Sequence, residues 1–143
     1  MAITQAMATS FKVQLLNGQQ NFSANTFKLA LYTSSASLDE NTTAYTTSNE
    51  VASAGNYSAG GNTLSVSVTP TNTGNVAFIS FSNTSWANAT ITAAGALIYN
   101  ANVSNAAVCV LSFGGDKTST NGTFAVNFPT ADASNAIIRL TAS

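Results

Sequence analysis

The feature that most constrains this chain is a two-residue alternation of apolar and polar side chains that returns in segment after segment. In TFKLALYTSS (26–35), Phe27, Leu29 and Leu31 fall on one side and Lys28, Ala30 and Tyr32 on the other. A strand sends successive side chains to opposite faces, so this spacing predicts a strand; a helix would bring apolar residues back three and four apart. NTLSVSVTP (62–70) repeats the pattern at Leu64, Val66 and Val68 and is closed by Pro70, and GTFAVNFP (122–129) repeats it at Phe124, Val126 and Phe128. In VAFISFSNTSW (76–86) the skip between Phe78 and Ile79 reads as a bulge or as a strand buried on both faces. ATITAAGALIYNA (89–101) and AAVCVLSFG (106–114), joined by the turn NVSN, and AIIRLTAS (136–143) supply three more strands.

One segment leans the other way. In SFKVQLLNG (10–18), Phe11–Leu15 and Val13–Leu16 stand at i,i+4 and i,i+3, Ser10 can cap, and Asn17-Gly18 suits a helix end. A short N-terminal helix is expected there. About seven to eight strands with turn signals about every ten residues predict an all-β fold, a single β-sandwich or jelly-roll-like domain over residues 1–143, with 1–9 as an extended arm. The polar stretch 36–61 reads as a long excursion with only short regular pieces such as TTSNEV, a length usually kept for function or an interface.

Charge is scarce. Four basic and five acidic residues make up 6% of the 143 residues, against about 25% in an ordinary domain. A net charge of −1 does little to keep copies apart, and interface cores are themselves poor in charge, so self-association is expected. Lys12, Lys28, Lys117 and Arg139 are scattered, which argues against nucleic acid as a partner. No apolar run is long enough for a membrane helix, and MAITQAMATSFK lacks the charged and apolar regions of a secretory signal. Cys109, alone in AAVCVLSF, reads as a small core hydrophobe.

The side chains that carry most chemistry are missing. With no histidine there is no Ser-His-Asp triad, Cys-His pair or ordinary zinc site. Asp39-Glu40 is the one adjacent carboxylate pair and reads as a solvated turn; a weak calcium site near it or Asp116 lacks the short-spaced acidic run such sites use. The stretch LSFGGDKTSTNG (111–122) invites a phosphate-loop reading. Its spacing is wrong, Asp116 opposes an anion, and a strand follows it where a phosphate site needs a helix. Two tight turns, at Gly114-Gly115 and Asn121-Gly122, predict a hairpin whose tip carries Asp116 and Lys117. No catalytic residue, metal site, cofactor or small-molecule substrate is expected.

TFKLALYTSSASL, TTAYTTSNEV, YSAGGNTL, the lone Trp86, AAGALIYNA and VLSFGGDKTSTNGTFAVNFP occur in an order that resembles a family of small tailed-phage virion structural proteins, over about residues 10–140. Where the family pattern carries an Arg before the GALIY-type segment, Ala94 stands here, and Ser112 replaces an acidic residue; any role of that pair is lost. The resemblance implies a non-enzymatic virion component made in the host bacterial cytoplasm. The first expectation is a capsid decoration or cement protein that contacts the major capsid protein and itself, as a homotrimer. A tail or head–tail connector subunit is the alternative. A glycan-binding attachment module using Tyr45, Tyr57 or Trp86 comes behind it, core packing being favoured for Trp86. Candidate interface residues are Met1, Ile3, Tyr45, Tyr57, Asp116 and Lys117.

Overall fold

The computed structural model describes residues 2–141. Along the chain run β1 (Ala6–Met7), α1 (Thr9–Leu16), β2 (Phe27–Tyr32), β3 (Asn62–Leu64), β4 (Val66–Thr73), β5 (Val76–Phe81), β6 (Thr84–Asn100), β7 (Ala106–Val126) and β8 (Ile138–Thr141). They form two antiparallel sheets, one ordered β1-β7-β6-β2-β3 and the other β4-β5-β8, an all-β sandwich-like fold.

The alternation in β2 decides how the larger sheet is covered. Phe27, Leu29 and Leu31 share one face with their β6 partners Asn100, Ile98 and Ala96; Lys28, Ala30 and Tyr32 share the other with Tyr99, Leu97 and Gly95. Both faces are covered, so the last eight residues of β6 and the first six of β7 are all buried.

On the first face lies a phenylalanine cluster. Phe22 stacks on Phe27 with ring centroids 4.6 Å apart, and Phe11 meets Phe22 edge-on at 5.9 Å. Phe81 of β5 closes on Phe27 at 5.8 Å, which docks the smaller sheet onto the larger. Helix α1 contributes Phe11. It forms where expected, ending at Asn17 with Gly18 in the left-handed region at φ 71°. Its N-cap is Ala8, without a side-chain bond; Ser10 lies inside the first turn with its hydroxyl buried and unpartnered.

Over the second face folds the excursion 33–61. It holds no regular element beyond bridges such as Tyr32↔Glu50, and it buries Ala36, Leu38, Val51 and Tyr57 against its own sheet. Residues 2–8 do not project as an arm. Thr4 N–H donates to Leu38 O, Leu38 N–H to Ala2 O, and β1 pairs with Cys109 and Val110, so this segment clips the excursion to β7.

Three boundaries differ from the sequence reading. Residues 62–70 divide at Ser65 into β3 and β4, which join different sheets, and β4 runs past Pro70 to Thr73. Pro70 falls within the register shift between Val68 and Thr71, where no ladder bond is asked of it. Residues 76–86 divide at Ser82-Asn83, so Trp86 belongs to β6; Phe78 and Ile79 are both buried and their pairing with β8 is in register, so no bulge lies between them.

The third difference is the largest. Residues 106–126 form one strand, and GGDKTSTNG is no hairpin between two. Ala93 pairs with Lys117 and Gly95 with Ser112, which leaves Phe113, Gly114, Gly115 and Asp116 opposite Ala94 alone. The glycines supply the φ values of 77° and 142° that this wide bulge needs. The turn signals were real, but they bend a strand whose partner, β6, continues on the other side.

Candidate functional site

The most organised polar group in the protein sits on the second face, around Glu50. The Tyr45 hydroxyl donates to Glu50 Oε1 at 2.7 Å, the Tyr57 hydroxyl to Oε2 at 2.6 Å, and Gly60 N–H also to Oε2 at 2.7 Å. Tyr57 in turn accepts from Leu31 N–H of β2 at 2.9 Å, and Tyr99 of β6 donates to Gly60 O at 2.7 Å. Tyr32 donates to Thr46 O at 2.6 Å, and Tyr45 stacks on Tyr99 at 4.7 Å. All four tyrosines of the chain thus converge on one excursion.

Local sequence explains the placement. Tyr32 and Tyr99 occupy second-face positions of β2 and β6, and Glu50 joins them because residues 49–51 bond alongside β2: Thr33 N–H donates to Asn49 O and Val51 N–H to Leu31 O. Gly61 admits no substitute. A Cβ there would stand 1.8 Å from Leu29 O, and its φ is 74°. The backbone of 60–61 can lie flat on β2 only without side chains.

Burial pushes every one of these hydroxyls upward, Tyr99 to about 12 and the others further, with the charge of Glu50 adding to it. They are therefore protonated donors at neutral pH. Charge-assisted hydrogen bonds of this length are about twice as strong as neutral ones. The arrangement works as a clamp: a carboxylate on the excursion holds two tyrosines and a backbone amide, and the tyrosines hold the sheet.

The expected site residues scatter. Met1 lies outside the described residues. Ile3 is half-buried, packed against Gly95, and Tyr45 is half-buried in the clamp. Tyr57 is only 2% exposed, which corrects its reading as an interface or sugar-stacking residue, since burial leaves it no surface to offer. Trp86, at 6% exposure, packs between Tyr57 and Phe124 in the core. Asp116 is exposed in the bulge of β7 and Lys117 is exposed beside it, paired with Ala93; neither is on a hairpin tip. From Phe113 onward the outer edge of β7 has no strand partner among the described residues. A bulge and a charge pair on such an edge are devices that discourage another chain from pairing there.

Cys109 is buried, and desolvation pushes its thiol up to about 12, so it is an inert thiol at neutral pH. Asp132 is held below its ordinary range by the Asn135 side chain and the Ser134 and Asn135 amides, a turn with the carboxylate as its hub. No cluster of three or more potential metal ligands occurs among the described residues, and no helix there is long and apolar enough to cross a membrane.

One concave feature went unnoticed in the sequence. A groove of about 290 Å³ opens between the end of α1 and the smaller sheet, lined by Leu15, Phe22, Phe78, Ile79, Ile138 and Leu140, with Gln20, Asn21 and Thr71 among its polar walls. No charged residue lines it. Its parts come from the end of α1 and the loop after it, the β4–β5 hairpin and β8, so no local motif announces it.

Comparison with protein-family models, with curated proteins and with solved structures finds no match to this chain.

Proposed function

We propose that this protein is a non-enzymatic structural component of a tailed-phage virion, a capsid decoration or cement protein that binds the outer shell and ties neighbouring major capsid subunits together. The observation that carries the reading is the composition: a two-sheet β fold with 6% charged residues in a chain rich in Ser, Thr and Asn. Charge depletion is what interface cores have in common, and a shell subunit meets neighbours on many sides. The ordered motifs from TFKLALYTSS to GTFAVNFP, with their likeness to virion proteins, support the same reading. Binding by such a protein is interfacial: apolar patches and strand edges are buried, and each copy adds resistance to the pressure of packaged DNA.

Quantitative mass spectrometry of purified virions tests this. Hundreds of copies per particle fit a shell protein, whereas roughly six to eighteen would place it in the tail or connector and overturn the decoration reading. Particles assembled without it should also rupture at lower temperature.

A further inference from the structure

We infer that a second concavity, on the core-facing side of β7 beside its bulge, binds an acidic sugar residue of a glycan, Lys117 pairing with the carboxylate and Phe113 meeting the C–H face of the ring. The inference goes beyond the proposed function and stands apart from it.

The pocket holds about 410 Å³, within the range of small-ligand sites, and it opens to solvent. Every residue that lines it belongs to β7, from Phe113 to Ala125. With the wide bulge between them, the rings of Phe113 and Phe124 come together, centroids 6.2 Å apart and planes at 50°. Phe124 is buried and backs the wall, while Phe113 is half-buried and keeps part of its ring on the pocket side.

Lys117 is the unusual member. Its partner across the ladder is Ala93, and Ser119, two residues on, pairs with Ile91. Residues two apart on a strand share a face, and both Ala93 and Ile91 are buried. The Lys117 side chain therefore leaves β7 on the face where apolar residues belong, and it reaches water at the pocket. No carboxylate lines the pocket, Asp116 included, so the ammonium has no counter-charge there. A ligand that brings an anion supplies one, in a charge-assisted bond.

The class of ligand follows from what each part of the pocket accepts. One lysine is a point charge that suits a single carboxylate, whereas nucleic acid asks for several cations. A strand is turned away by the bulge and by the charges on that edge. A wholly apolar acid would leave its far side in water, because the pocket is open. A pyranose that carries a carboxylate avoids that cost. One face offers C–H groups to Phe113, the carboxylate meets Lys117, and the remaining hydroxyls stay wet. The Ser119 hydroxyl is committed to Ala89 O at 2.9 Å and that of Thr118 to Thr92, so Thr123 is the lining hydroxyl that meets the sugar's own.

An NMR titration of the purified, isotope-labelled chain with methyl glucuronide tests this, with methyl glucoside as the uncharged control and acetate as the sugar-free one. Methyl glucuronide should shift the amides of Lys117, Thr123 and Ala125 saturably, in the millimolar range. Methyl glucoside and acetate should each bind about tenfold more weakly, the loss expected when a charged partner is removed. Lys117→Gln, at an exposed position, should keep the native melting temperature and bind the two glycosides alike and weakly. Phe113→Ala should weaken methyl glucuronide as well. No saturable shift with methyl glucuronide, equal binding of acetate or of methyl glucoside, or an unchanged titration in Lys117→Gln would each overturn the inference. Virion copy number is read independently, so a failure here leaves the capsid reading to its own measurement.

Discussion

The two faces of the central sheet are both buried, but they are covered by different chemistry. The first, the dry face, is closed mainly by phenylalanines, Phe11, Phe22, Phe27 and Phe81 meeting ring to ring, with Asn100, bonded to Gln20 and Asn25, as its buried polar exception. The second is closed by tyrosines, each hydroxyl bonded, around the carboxylate of Glu50. The dry face joins elements that are regular in themselves, a helix and a second sheet. The wet face has to hold an excursion with almost no regular structure, whose backbone satisfies itself only in part, in isolated turns. Hydrogen-bonding side chains are what such a segment needs. The difference teaches that the excursion is an internal cover rather than a free arm.

The sharpest way to break the comparison is to remove one ring from the dry face. Phe27→Ala should cost about 3–5 kcal/mol, the usual loss for emptying a buried aromatic site, read from the denaturant midpoint. It should destabilise the whole sandwich at once. On the wet face, Glu50→Ala leaves two tyrosine hydroxyls and one amide without their acceptor. It should cost about 2–3 kcal/mol, as for charge-assisted bonds, with Glu50→Gln losing about half of that because one carbonyl oxygen remains. An equal loss in Glu50→Gln and Glu50→Ala would mean that the charge, and not the acceptor, holds the excursion.

The faces should also part in their response to alkali. The tyrosine hydroxyls lie near 10 in the unfolded chain and are raised in the folded one, Tyr99 to about 12. The folded state therefore favours the protonated form. Its contribution is complete below about pH 10 and is lost as pH rises from there toward about 12. Absorbance of tyrosinate should appear together with unfolding, and not as a separate earlier step. The smallest effect is expected at the β7 bulge, where Asp116→Asn should move stability by less than about 0.5 kcal/mol, as exposed substitutions do. Its consequence should be seen in turbidity, since the edge loses one of its charges.

How far the sequence could be read follows the same division. The dry face was legible in part: alternation in β2 and the helix end at Asn17-Gly18 are local signals, but of the apolar pairs that pointed to α1 only Phe11 is buried, and Val13 and Leu16 stay exposed. The two-sided burial of β6 was harder, since AAGALIYN reads as a strand without saying what covers it. The bulge of β7 was misread for a physical reason. Gly114-Gly115 and Asn121-Gly122 have the chemistry of turns, and only the long-range pairing with Ala93 and Gly95 shows that the strand continues. The clamp was invisible because its members span residues 32 to 99, and what unites them is the topology that lays residues 49–51 beside β2. A signal was present: every tyrosine lies in or opposite the excursion, and Glu50 is the one charged residue between Asn41 and Gly61.

The most direct test of this two-faced account is native-state hydrogen exchange on Glu50→Ala. Protection should collapse at Val51, Tyr57 and Gly61, whose amides close the excursion, while Ile98, Val108 and Val110 in the sheet centre keep most of theirs. An equal loss of protection at all six positions would show that the excursion is part of the core and that the clamp does not hold it separately.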